Sequence, residues 1–443
     1  MLGVIERMMS LFMFIGSEEA VEYGRNYKGA FTRKSPLNFQ NMVLLHLNQH
    51  NLTLYMEIRN FFKKIKGVNT TTQAFSQARD KLNPLVFKTL KDHHLKEFYA
   101  SDSVKKFKNH LIISGDGSKC TLPYKKPMVG IFGGIKNKFH QITSVAVNTT
   151  MLYDSLNKFV IDLEIDEYET SEKELMKRNM KNLWDLDYLN DIPRILVFDR
   201  GFPSLEFFMR LLEKNEKFLF RIREISYKEE KSKMQSNDEF IDIHVTKERV
   251  NNLKNEEIKE ELLKIGKFNL RITKIVLPNG EIEHLISNLD QETFTYNDLK
   301  EIYDLRWAIE VSLDVLKNSL DIENISGYKE IVVYQDFFSQ ILAYNIATDM
   351  ESTAQKILDE KEIKKENKSK IPKKVNKNIV IGIIKEELVE IAILPDAKQQ
   401  EEKLKQLIEE MSRKYTQTST VKSPRKPKRV YSAKNRSNNR RSF

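Results

Sequence analysis

The stretch Tyr303-Asp304-Leu305-Arg306-Trp307-Ala308-Ile309-Glu310-Val311-Ser312-Leu313-Asp314-Val315-Leu316-Lys317 decides how the chain is read. An α-helix turns about 100° per residue. On a helix, Tyr303, Arg306, Glu310 and Lys317 fall at about 0°, −60°, −20° and −40°, one narrow stripe about 21 Å long. Ile302, Leu305, Ile309, Val311, Leu313, Val315, Leu316 and Leu320 supply apolar character to most other faces. A mostly apolar helix with one line of acid, bases and phenol is expected to be buried beside a working groove. The acid suits a metal and the bases suit phosphates.

Two further acids belong with this stripe. Asp116 sits in Leu111-Ile112-Ile113-Ser114-Gly115-Asp116-Gly117-Ser118, read as a short apolar strand entering a glycine-flanked turn. Asp199 follows Arg194-Ile195-Leu196-Val197-Phe198 and precedes Arg200-Gly201-Phe202-Pro203, again at a strand end. Acids at the tips of buried strands face a crevice. Two aspartates and a glutamate are hard oxygen donors suited to Mg²⁺ or Mn²⁺. Two such ions about 3.5–4 Å apart can clamp both oxygens of a phosphodiester exchange. Each acid also has a plainer reading: Asp116 and Asp199 as turn formers beside glycine or arginine, and Glu310 as a helix partner of Arg306. Asp314 lies near the same stripe, and spacing alone does not exclude it as a ligand.

Asp116, Asp199 and Glu310, with Tyr303, Arg306 and Lys317 around the last, resemble the DDE transposases of bacterial insertion sequences. The spacing resembles in particular the insertion-sequence-four group, marked by Tyr-(2)-Arg-(3)-Glu-(6)-Lys. Asp116-Gly117-Ser118, Asp199-Arg200-Gly201-Phe202-Pro203-Ser204, Phe218–Arg223, Leu285–Leu289 and Tyr344-Asn345 extend the resemblance over roughly residues 30–350. It implies an RNase H-like α/β catalytic core interrupted by a β-rich insertion. It also implies an N-terminal helical DNA-binding domain and a helical, basic C-terminal region. By that resemblance the three acids hold two divalent ions, Arg306 and Tyr303 hold the phosphate near the cleaved end, and Lys317 contacts DNA. Arg200 is a further phosphate candidate. The implied activity is metal-dependent cleavage at element ends, followed by strand transfer into target DNA. The implied partners are terminal inverted repeats, target DNA and a second copy of the chain on DNA. Two rivals are a nuclease of the same fold that cuts without rejoining, and a non-catalytic DNA-binding descendant. Some members of the group stack a flipped base on a tryptophan just before the strand matching Leu285–Leu289. Here His284 holds that place, and the two tryptophans are Trp184 and Trp307. Trp307 is expected in the core.

The rest of the chain is divided accordingly. With 443 residues it has length for several domains and a sizeable core. Residues 1–108 read as the helical N-terminal domain. Within it, Thr70 to Lys81 reads as a helix whose Gln73 and Arg79 are candidate DNA contacts, as the family's terminal-repeat-binding domain implies. Residues 109–217 read as the first part of the core, with strands near 111–115, 128–133, 139–149, 159–164 and 194–198. Residues 218–296 read as the β-rich insertion, including a hairpin turning at Asn279-Gly280. Residues 297–358 complete the core, with the glutamate helix running unbroken to about Leu320. Residues 359–411 read as C-terminal helices, and 412–443 as a disordered basic tail.

That tail holds eleven of the Lys and Arg residues and no acid, so the net charge of +10 leaves about −1 for everything before it. Such a segment suits sequence-independent phosphate contact. No apolar run approaches the ~20 residues of a membrane span. The single cysteine, Cys120, excludes an intrachain disulfide, fits a reducing cytoplasm and reads as a packing residue. The expected location is the bacterial cytoplasm, on the nucleoid when DNA is bound.

Overall fold

The computed structural model describes residues 1–277, 280–364 and 371–417. Its centre is a nine-stranded sheet. The strands are β1 (Leu111–Leu122), β2 (Gly134–Lys136), β3 (Ile142–Asp154), β4 (Val160–Glu167), β5 (Arg194–Phe198), β6 (Lys217–Ile222), β7 (Asp238–His244), β8 (Lys267–Val276) and β9 (Ile282–Ser287). Their order is β2-β3-β1-β5-β6-β9-β8-β7, with β4 also on β3. β1, β3 and β4 form an antiparallel meander, whereas β5 pairs parallel to β1 and β6 parallel to β5. The fold is thus mixed α/β around one large sheet. The strands expected in the insertion, β6 to β9, are part of this one sheet: β6 pairs parallel with β5, and β9 pairs antiparallel with β6.

Alternation along the central strands sends side chains to two faces. Leu111, Ile113, Leu196, Phe198, Phe218 and Phe220 face the helices Glu172–Trp184 and Leu205–Glu213. Both helices begin at a serine, with Ser171 accepting from the Glu174 N–H and Ser204 from the Phe207 N–H. Ile112, Ile195, Val197 and Leu219 face the helix Tyr296–Leu305. A third apolar cluster joins β3 and β4 to the long helix Glu330–Ile363, to Lys377–Ala392 and Ala397–Arg413, and to the N-terminal helices. The N-terminal helices therefore share one core with the end of the chain. Two buried ion pairs lock that union: Arg7 to Asp349 at 2.6 Å and Arg79 to Asp336 at 2.6 Å.

Several expectations are corrected. Of the expected strand 128–133, residues 128–132 lie instead in a helix, Lys126–Phe132, started by Pro127 and stopped by Gly133 at φ 67°. The glutamate helix breaks at Arg306 into Tyr296–Leu305 and Trp307–Asn318, with a tightened turn from the Ile309 N–H to the Arg306 carbonyl. Asp116 is not in a turn. It lies within β1, opposite Met151. Its flanking glycines serve close packing instead. A Cβ on Gly115 would collide with the Phe198 ring, and one on Gly117 would sit 2.6 Å from Glu172 Cδ. The hairpin of β8 and β9 is present, but Asn279 lies outside the described residues, as does the tail from residue 418 onward.

Candidate active site

Three elements meet around the acids. β1 presents Asp116 on the face turned toward the glutamate helix. The end of β5 delivers Asp199, whose carbonyl accepts from the Phe202 N–H at 3.1 Å and so turns the chain away. The break at Arg306 brings Tyr303, Arg306 and Glu310 against both strands. Arg306 is the hub. Its guanidinium lies 2.7 Å from Glu310 and 3.6 Å from Asp116, with its side chain 8% exposed. Tyr303 donates its hydroxyl to Asp199 at 3.1 Å. Asp116 also accepts from the Gly117 N–H at 2.8 Å.

The electrostatics tie the set together. Burial pushes the Asp116 carboxyl up to about 6; Glu310 and Asp199 push the same way, against the Gly117 N–H and Arg306. Burial also raises the Tyr303 phenol, which stays protonated and donates. The Arg306 guanidinium is held above its usual range despite burial, through Tyr303, Glu310 and both aspartates. Three acids far apart in sequence thus share one field, with a cation placed against two of them. Among the described residues no three His, Cys, Asp or Glu side chains stand close enough together to hold a metal ion. Arg306 and Tyr303 engage the carboxylates instead. By type the donor set still fits a hard divalent cation, since all three ligand candidates are carboxylates.

The other expected residues fall in different places. Lys317 lies on the same side, but its ammonium donates to Ser118 Oγ at 2.6 Å and to the Lys119 carbonyl at 2.8 Å, pinning the helix to β1. Arg200 and Gln73 are exposed. Arg79 is corrected: it is 2% exposed and donates to Gln335, Ser326 and Asp336, so it holds the interior and does not reach outward. Trp307 is also corrected, being 44% exposed. Asp314 is exposed and accepts from Asn318 at 2.7 Å, away from the acids. His284 is half-buried on β9, its imidazole pushed down by burial and by Lys231 and Lys274. Cys120 is buried, and burial pushes its thiol up to about 12, which suits packing and not nucleophilic work. Sequence reasoning missed Ser118, and also Glu323, which accepts from the Thr121 N–H at 2.8 Å and ties β1 to the segment after the glutamate helix. Ser118 lies in the Asp116-Gly117-Ser118 stretch already singled out, but no local pattern marks Glu323.

Residues 133–346 match the Transposase DDE domain family. That span holds Asp199 and Glu310 and starts after Asp116. The match supports a transposase of the DDE class. No curated protein matches the chain. Among solved structures, the chain is similar to the cryo-EM structure of piggyBac transposase in a synaptic complex with hairpin DNA. Identity there is 11%, the TM-score is 0.42, and the overlap covers 93% of this chain and 86% of that one. No helix among the described residues is long and apolar enough to cross a membrane.

Proposed function

We propose that the chain is a metal-dependent DNA transposase of the insertion-sequence-four kind, built on an RNase H-like core. On this reading it cuts at the ends of an insertion sequence and joins the freed 3′-hydroxyl to target DNA. The carrying observation is the closure of the motif around the acids: Arg306 against Asp116 and Glu310, and Tyr303 on Asp199. The strand order β4-β3-β1-β5-β6, antiparallel then parallel, supports the core assignment.

Asp116, Asp199 and Glu310 would hold the divalent ions, which when bound supply charge neutralisation at the attacking and leaving oxygens. The remaining work belongs to this chain's side chains. Arg306, released from the acids, offers a planar fork to the phosphate at the cut end. Tyr303 positions Asp199 and keeps its own proton. Lys317 holds the helix on β1 and reaches DNA only by leaving Ser118. Exposed Arg200 and Gln73 extend the contact to the duplex, and two copies bring two ends together.

The test uses purified full chain and DNA carrying the element's ends, with and without Mg²⁺. Glu310→Gln should abolish cleavage while binding of the ends survives. Equal loss of both would remove Glu310 from the ligand set. Strand transfer from pre-cut ends separates a transposase from a nuclease of the same fold.

A further inference from the structure

A second polar site lies away from the acids. It is a cavity of about 500 Å³ walled by the β3–β4 turn, the helix Glu330–Ile363 and the segment around Lys105. Asp154, at the end of β3, pairs with Ile113, and the turn lies beyond it. Asp116 stands three residues further along β1, about 10 Å at the usual strand rise, so the two sites occupy different parts of the sheet.

Four lysines line this cavity: Lys105, Lys158, Lys356 and Lys374. Among the described residues none of these ammonium groups has an ion-pair partner. The acids in the wall are largely committed. Asp349 pairs with Arg7 at 2.6 Å, and Glu351 with Lys377 at 3.3 Å. Asp359 accepts from the neutral Gln355 amide at 2.8 Å and is the lining carboxylate left to offset the lysines. A surplus of positive charge therefore converges on a concavity. All four lysines are exposed at the rim of the hollow, and partial desolvation with Lys374, Lys377 and Lys105 pushes the Lys158 ammonium down against Glu351, so these groups feel one another. Ser103, Ser352 and Thr353 add hydroxyls to the wall. Several bare ammonium groups around one hollow repel each other until an anion arrives. The volume suits a small multi-oxygen anion or one or two successive phosphates of a nucleic-acid backbone.

We propose that this cavity binds phosphate, carried either by a DNA backbone or by a free polyphosphate. The proposal does not rest on the transposase reading, because it uses none of the three acids.

The experiment titrates full chain with pyrophosphate by calorimetry, and separately measures duplex binding across a salt series. The proteins are wild type, the pair Lys158→Ala/Lys374→Ala and the pair Lys158→Arg/Lys374→Arg, each first checked by thermal melting. Pyrophosphate should bind wild type, weaken tenfold or more in the alanine pair and persist in the arginine pair. If DNA is the source, the alanine pair should also flatten the salt slope by about 2, since two fewer phosphates are neutralised. If a free polyphosphate is the source, that slope stays at the wild-type value while pyrophosphate binding is lost. No pyrophosphate binding by wild type, together with an unchanged slope in the alanine pair, overturns the proposal.

Discussion

Arg306 places one guanidinium where two carboxylates would otherwise repel. Removing it should be felt in the fold as well as in the chemistry. Arg306→Met leaves Asp116 and Glu310 uncompensated. Breaking a fully buried pair costs about 3–5 kcal/mol, but Glu310 is 34% exposed, so a loss of about 1–2 kcal/mol is expected. Mg²⁺ should restore most of that loss in the variant if the acids are its ligands. Melting curves with and without the ion decide it, and a variant indifferent to Mg²⁺ would count against the ligand set. At this scale the sequence told which residues mattered and not whom they touch. The spacing of Tyr303, Arg306, Glu310 and Lys317 was readable because a helix repeats. Arg306 reaching Asp116, and Arg79 reaching Asp336, are tertiary facts across 190 and 257 residues that no periodicity carries.

Among elements, the long helix Glu330–Ile363 packs on the edge of the sheet and reaches the β4 backbone through the side chain of Asn345. Asn345 accepts from the Val160 N–H at 2.9 Å and donates to the Val160 carbonyl at 2.8 Å, both buried. It does for β4 what a further strand would do. Asn345→Leu strands both backbone groups, each costing about 1–3 kcal/mol, so roughly 2–6 kcal/mol should be lost. Urea unfolding measures this, and a loss under about 0.5 kcal/mol would show that the edge is satisfied another way. The start of β1, and β5 and β9, were readable because apolar runs bounded by glycine, proline or charge have few other uses. Met128 to Phe132 was not, since a short apolar run fits strand or helix equally; Pro127 and Gly133 settle it locally. The break at Arg306 was hidden because its dihedrals, φ −55° and ψ −32°, remain helical.

At the scale of the molecule, charge and core are separated along the chain. Nine Lys or Arg residues follow position 417, and no acid does. Ser412 is buried, and Tyr415–Gln417 pairs with Lys373–Val375, so a clean truncation starts at residue 418 and not at 412. Deleting 418–443 should leave the melting temperature unchanged, weaken nonspecific duplex binding and flatten its salt dependence by several units. An unchanged slope would mean that these cations stay clear of the phosphates.

The ion pair between Arg7 and Asp349 spans 342 residues. During synthesis the first helices leave the ribosome with their apolar faces bare, and the elements that cover them follow on the order of tens of seconds later. The chain should therefore need holding by chaperones while it is made, and its yield should fall when elongation is slowed.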